Sequence, residues 1–490
     1  MASVLPSNLS FFMSRLQGVS TSHFKVNPQT SGDVGANRIL RFELPSNTLV
    51  NFRSIRMFMN VECSNTTNTK ATSLPPSIDS VCERCSVYIG GVLVANGFNG
   101  YNTLVHAKAA LQGSKCGPLG HPEMVRQKRY HSFLDSGSTN DALSNATAST
   151  CLETYAGDSA GNDYFCIDNW EGFLGSIEPS ILDTGLVGTV VIEIALADNT
   201  ICSESQSRAL PALQSNSYDV VGTAGFDFPF ASNAKGSPSY TLKNVSMQVE
   251  VLSLATNVLD TIVEQRISQV GYLSLPFKNY FSFTNTHNTT TRFNVNSASW
   301  DRLWIAYRDK DYAAVTAPVR IKGYKCAGAI TSSASTYTAG VDVGVPEYDA
   351  GGTLNTNAEK YKPFYFNFQE KKATAATAST YQLQINSASV PSFRMSAPEA
   401  LAMSMNSLDY YDKNHKLTLH QHKCNYFVQC YRFCLPDSDY SRLASGIDVR
   451  GSSASCALVT SGLAECNVTM YAECTSELRI GAGRQIEVIV

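Results

Sequence analysis

The sequence predicts an all-β chain of two tandem β-sandwich halves, and three observations carry that expectation. Short runs of alternating apolar residues recur along the chain with turn-forming Gly, Asn, Ser and Pro between them. Helical periodicity before the middle is confined to two stretches, near Asn102–Leu111 and near Asn257–Ile267. The halves also echo each other, which points to an internal duplication. Composition agrees: 43% hydrophobic and 10% aromatic residues over 490 positions supply ample core.

The first thirty-odd residues are rich in Ser, Asn, Gln and Gly, lack a sustained period and read as an arm, Met1–Ala36. Its apolar patch is Leu9, Phe11, Phe12 and Met13. Strand texture begins at Arg38–Leu44. It continues at Leu49–Val61, where Val50, Phe52, Ile55, Met57, Met59 and Val61 alternate with one irregular step. Further strands are expected at Val81–Val94, Val187–Ala197 and Tyr240–Leu252. The helical stretch near Asn257 marks the joint, giving a first half over 37–256, a linker over 257–270 and a second half over 271–490. In the second half strand texture covers Tyr272–Phe283, Thr291–Arg308, Lys362–Gln369, Thr380–Ser387, Lys416–Leu435, Gly462–Cys474 and Glu477–Val490. Long polar insertions at Gly137–Gly161 and Ala327–Glu359 read as elaborated loops. The echo runs between Val87–Val94 with its following helix and Leu383–Pro391 with Ser396–Leu408: strand, tight turn, strand, short helix.

Charge excludes some functions. Lys+Arg 38 against Asp+Glu 41 leaves a net charge of −3, so no global field would hold a polyanion, and sequence-specific nucleic-acid binding is not expected. No run of about 18 apolar residues and no signal-peptide pattern occurs, so a soluble, unsecreted product is expected. The 14 cysteines are scattered and read as buried thiols. Sequons at Asn65, Asn145, Asn244, Asn288 and Asn467 are what a chain rich in Asn, Ser and Thr produces by chance.

Candidate chemistry is sparse. On a strand over Lys416–Cys424, His420 and His422 would share a face and, with Cys424, Cys430 and Cys434, invite a zinc reading. The spacings match no familiar zinc pattern, and ordinary sheet residues are the alternative. Cys82 and Cys85 have the C-x-x-C spacing but sit at a strand start rather than a helix N-terminus. Gly90-Gly91 and Gly481-Ala-Gly483 read as hairpin turns rather than phosphate loops. Asp409/Asp412 and Asp437/Asp439 read as turn residues, and Arg126–Arg129 as a solvated basic loop. No set of nucleophile, base and orienting residue is found, so neither catalysis nor a cofactor nor a metal is expected.

The C-terminal third carries a resemblance. Leu443–Ser452, the strand around Val468–Glu473 and the closing run Glu477–Val490 are similar to the last strands of double jelly-roll major capsid proteins of the Polinton-like virus and virophage type. Tyr381–Pro391 with its Ala-rich helix, and Tyr240–Val245, also resemble segments of that family. The resemblance implies two eight-stranded antiparallel jelly-roll β-sandwiches in tandem, with short helices and long loops. It further implies a homotrimer forming a pseudo-hexameric capsomer, and an icosahedral capsid around double-stranded DNA. Partners would be neighbouring capsomers, a penton protein and minor or cement proteins. The protein would be made and assembled in the infected cell and end in the virion; whether an internal membrane lies beneath is left open. The arm would tie neighbours together through Leu9, Phe11, Phe12 and Met13, and the chain ends on what reads as its final strand. Two alternatives stay open on the residues alone. One is a carbohydrate-binding or adhesive sandwich using Tyr101, Trp170, Tyr410 and Tyr411. The other is a metal-dependent enzyme on a jelly-roll scaffold, for which His420 and His422 are too few.

Overall fold

The structure is a computed structural model. It describes residues 19–112, 164–206, 238–254, 265–310, 312 and 365–489, apart from short interruptions within these spans. The first half contributes β1 (Val19–Val26), β2 (Val34–Gly35), β3 (Ile39–Glu43), β4 (Leu49–Asn65), β5 (Lys70–Ser73), β6 (Cys82–Ile89) and β7 (Val92–Ala95). The helix Tyr101–Gln112 follows, then β8 (Tyr164–Ile167), β9 (Ile181–Asp183), β10 (Val190–Leu196), β11 (Ser203–Gln206) and β12 (Pro238–Leu254). The second half contributes β13 (Tyr272–His287), β14 (Thr290–Val295), β15 (Trp300–Asp309), β16 (Thr380–Ile385) and β17 (Ala388–Met395). After the helix Ala397–Asn406 come β18 (Val428–Arg432), β19 (Ala454–Ser461), β20 (Cys466–Gly481) and β21 (Ile486–Ile489).

The two halves repeat one topology. In the first, the sheets run β1-β12-β4-β8 and β3-β10-β6-β7; in the second, β13-β20-β15-β18 and β14-β19-β16-β17. Matched in chain order, corresponding strands occupy corresponding places, and each half inserts its helix between the same two strands. Each half is an eight-stranded antiparallel jelly roll, two sheets face to face. A two-stranded ribbon of β5 and β11, together with β2, β9 and β21, decorates this frame.

Alternation builds the cores. Leu40 and Phe42 on β3 point inward while Ile39, Arg41 and Glu43 face water. The irregular step in β4 is a bulge opposite Gln248/Glu250 of β12. There the Ser54 hydroxyl donates to Asn51 O at 2.7 Å and accepts from Glu250 N at 2.8 Å, replacing ladder bonds that the bulge removes. The repeated turns differ in residue but not in need. Gly90-Gly91 and Asn386-Ser387 all hold positive φ, as a two-residue hairpin requires.

Three expectations need correction. Part of the presumed arm is regular: Val19–Val26 pairs along its whole length with β12. Ser20–Lys25 are nevertheless exposed on both faces, so main-chain bonds rather than a buried stripe make the strand, and its sequence shows no period. Lys416–Leu435 is not one strand. His422 N donates to Thr418 O and Tyr426 N to His422 O, so the backbone is satisfied within a helical turn before β18. Lys362–Gln369 yields among its described residues only an isolated bridge, Phe368 to Tyr426. Most of the expected helix Asn257–Ile267 lies outside the described residues.

His287, at the end of β13, is fully buried, with Nδ1 2.6 Å from Thr291 Oγ1 and Nε2 2.6 Å from Thr460 Oγ1. Burial lowers its pKa from 6.5 to about 4. The folded state therefore binds fewer protons than the unfolded one between these values. The stability this group contributes is complete above pH 6.5 and is lost as pH falls through 4. His287→Gln, which keeps a donor and an acceptor for the two threonines, is expected to flatten that part of the Tm against pH curve. An unchanged slope would refute the assignment.

Candidate functional site: the seam between the halves

β15 is buried along nearly its whole length, Trp300 to Arg308, although it carries two arginines. One face of its sheet covers the core of the second jelly roll. The other is closed by the helix Tyr101–Gln112 of the first half, and the seam between them holds the buried charges of Arg302, Arg308 and Glu473. The helix starts after Gly100, whose φ of +79° suits glycine. Gly100 N donates to Glu83 O and Glu83 Oε1, both at 3.1 Å, while Gly100 O accepts from Leu104 N and, across the seam, from Tyr471 OH at 2.8 Å. Asn102 donates to Ser80 O and Glu83 Oε2, which ties the helix to its own half.

Further along, Lys108 Nζ reaches Glu171 Oε2 at 2.6 Å and Tyr280 OH at 3.1 Å, above the rings of Tyr280 and Trp304. Beneath it Glu473 accepts from Trp304 Nε1 at 2.8 Å and Arg302 at 3.2 Å. Burial alone would raise the Glu473 pKa, but Arg302, Lys108 and Lys278 outweigh it and hold the carboxyl at about 2. Burial opposes charge on Lys108 too; Glu171 and Glu473 overcome it and raise its pKa. Arg308 donates to Thr103 Oγ1 of the first half and Thr469 Oγ1 of the second, its guanidinium 3.7 Å from the Tyr312 ring centre. Phe98 packs on Tyr101, Tyr280 and Tyr471, and the His106 ring stacks on Phe366 at 4.0 Å.

Two more elements extend the seam. The turn Phe173–Ser176 sets Phe173 edge-on between Phe52 and Phe277, and Ser176 Oγ accepts from Lys278 N at 2.7 Å. Glu178 N donates to Pro276 O, so the open edge of β13 is bonded by the first half. At the far end Ile486 of β21 lies against Gly90. Helix, turn and C-terminal strand thus all hold the halves in one orientation.

Sequence reasoning missed Lys108, Glu171, Arg302, Arg308 and Glu473. For Arg302 and Glu473 a signal was present: charges inside the apolar runs Trp300–Tyr307 and Val468–Cys474, where a charge must find a partner. The residues it singled out are dispersed. Leu9, Phe11, Phe12 and Met13 lie outside the described residues, as do His420, Cys424, Tyr410, Tyr411 and Arg126–Arg129. His422 is buried against Phe427, apart from any strand. Among the described residues no group of three or more His, Cys, Asp and Glu could hold a metal ion. Cys82 and Cys85 are in β6, and burial raises both thiols, Cys85 to about 12. Tyr101 and Trp170 are core residues, 1% and 4% exposed, and cannot meet a sugar. Among the described residues no helix is long and apolar enough to cross a membrane.

The repeated eight-stranded topology, joined through this seam, defines a double jelly roll. No protein-family model matches the chain, and no curated protein matches its sequence. Solved structures do match. A chain of the PBCV-1 virus capsid, in a quasi-atomic model, is 12% identical, with a TM-score of 0.52 over 97% of this chain and 98% of that one. PBCV-1 VP54, fitted into a cryo-EM reconstruction of the virophage Sputnik, is 11% identical, with a TM-score of 0.50 over the same shares. At such identities the likeness is one of fold, and it extends over both halves.

Proposed function

We propose that this chain is the major capsid protein of a double-stranded DNA virus, a structural subunit rather than an enzyme. Three copies would form a pseudo-hexameric capsomer, and capsomers would tile an icosahedral shell in the virion, with penton and minor proteins as further partners. The observation that carries this reading is the duplication locked by the seam. Two jelly rolls held in one orientation let three chains present six nearly equivalent units, which a loosely tethered pair could not do. The buried ionisable groups of the seam are engaged with one another, which suits rigidity rather than turnover. Contacts to neighbours through Leu9, Phe11, Phe12 and Met13, and assembly inside the host cell, belong to the same proposal. Of the aromatic residues that favoured an adhesive reading, Tyr101 and Trp170 are buried, and Tyr410 and Tyr411 lie outside the described residues.

Light scattering on the purified protein tests it. The expected mass is about 160 kDa, three times the 53.2 kDa chain, with hexagonal outlines in negative stain. A stable monomer at micromolar concentration would overturn the proposal.

A further inference from the structure

Two fully buried histidines differ in how their rings are satisfied. His287 has a threonine hydroxyl at each nitrogen, and a hydroxyl can accept as well as donate, so both contacts survive a second ring proton. In His422, Nε2 donates to Val428 O at 3.1 Å, while Nδ1 has no hydrogen-bond partner among the described residues. The ring is therefore the neutral tautomer with its proton on Nε2 and a bare lone pair on Nδ1. It lies against Phe427, which packs in turn on Tyr307 and Tyr381. Two charged groups face it among the described residues, Glu370 and Lys423. Glu370 is engaged elsewhere: Oε1 accepts from Ser379 and, at 3.1 Å, from Tyr381 OH, and Oε2 lies 3.9 Å from Lys423 Nζ. Two main-chain bonds join the turn that carries His422 to the segment 368–370. Phe427 N donates to Phe368 O at 3.1 Å, and Glu370 N to Lys423 O at 2.8 Å.

We propose that this contact is an acid-opened latch: a proton taken up at Nδ1 of His422 releases the turn from the segment 368–370 while both sheets of the second jelly roll stay folded. Charging the ring makes an N–H with no acceptor among the described residues, a buried cation and an orphan donor at once. Release of the turn hydrates both. Burial, the largest influence, holds the His422 pKa below its ordinary 6.5 against the Val428 carbonyl and Glu370. The closed state thus binds fewer protons than the open one. It is fully favoured above pH 6.5 and weakens as pH falls through the lowered value. The opening is local because the segment 368–373 keeps its other bonds, Gln369 N to Tyr307 O, Ala464 N to Lys371 O and Ala373 N to Gly462 O. The latch belongs to the second jelly roll alone and does not depend on the capsid reading.

Hydrogen exchange read by mass spectrometry on the full-length protein tests it, each rate being referred to that of the unfolded chain at the same pH. Between about pH 7.5 and about pH 5.5, protection of the peptides holding Glu370 and Phe427 is expected to fall several-fold, at most about tenfold. The ladder between β13 and β20 should keep its protection. His422→Gln, whose amide can donate to Val428 O and does not titrate, should hold the neutral-pH protection in acid. Glu370→Gln should still lose it. Wild-type protection that is unchanged, or that falls evenly along the chain, would overturn the latch, as would an acid response that survives in His422→Gln. If His422→Gln does not fold, Glu370→Gln decides: an acid response that vanishes there assigns the proton to the carboxylate and overturns the proposal, and one that persists supports it.

Discussion

Replacing Glu473 with alanine is expected to lower the thermal midpoint by about 10 °C, the largest effect of any single side chain in the seam. The carboxylate is 2% exposed in its side chain and accepts from Trp304 and Arg302, with Lys108 and Lys278 nearby. Its removal takes the Glu473 ion pair from Arg302, which is buried at 9% side-chain exposure. Breaking a buried pair from one side costs about 3–5 kcal/mol, and in a unit of about 200 residues each kcal/mol is worth roughly 2–4 °C. The control is the paired change. Arg302→Met with Glu473→Leu removes both charges and fills the space with carbon, and should recover most of the loss. If Glu473→Ala and the paired variant melt alike, packing rather than charge holds this part of the seam.

The same residue sets an acid limit. Its folded pKa of about 2 lies below the ordinary value of 4.5, so the folded state binds fewer protons between them. Stability from this group is therefore complete above pH 4.5 and is lost as pH falls through 2. Glu473→Gln should flatten this acid limb.

The frame of the molecule was legible because alternation, turn residues and duplication are local patterns. β3, β4, β12 and the helix at Tyr101 fall where their apolar spacing puts them, and even the bulge in β4 announced itself as the irregular step between Phe52 and Ile55. β1 was not legible, because a strand held only by its ladder to β12 needs no apolar stripe. The seam was harder for a different reason. Lys108 finds Glu171 63 positions away, and Arg302 finds Glu473 across 171, so neither pairing leaves a trace in local spacing. His422 misled in the opposite direction, since local alternation suggested a strand where its main chain is satisfied by Thr418 and Tyr426 in a helical turn.

Gly100 offers the sharpest separation of backbone strain from contact across the seam. Alanine there must adopt φ near +79°, at a cost of about 1–2 kcal/mol, and its Cβ would lie 2.8 Å from the hydroxyl of Tyr471. Tyr471 is fully buried and cannot swing away, so Gly100→Ala is expected to cost about 3 kcal/mol in all. Tyr471→Phe alone removes the hydrogen bond to Gly100 O, which keeps its bond from Leu104 N, and should cost about 1 kcal/mol. Together the two changes should cost less than their sum by about 1 kcal/mol or more, because phenylalanine vacates the space the new methyl needs. Additive losses would mean that the strain at Gly100 is confined to the first half and that Tyr471 does not transmit it. A subadditive cycle would mean that the helix start and β20 move as one body. If they do, Gly100→Ala should also lower trimer yield in the light-scattering assay, and Tyr471→Phe in the same chain should bring part of it back. A rigid relation between the halves would then be a condition of assembly, since six units can be equivalent only if the two in each chain are held at one angle.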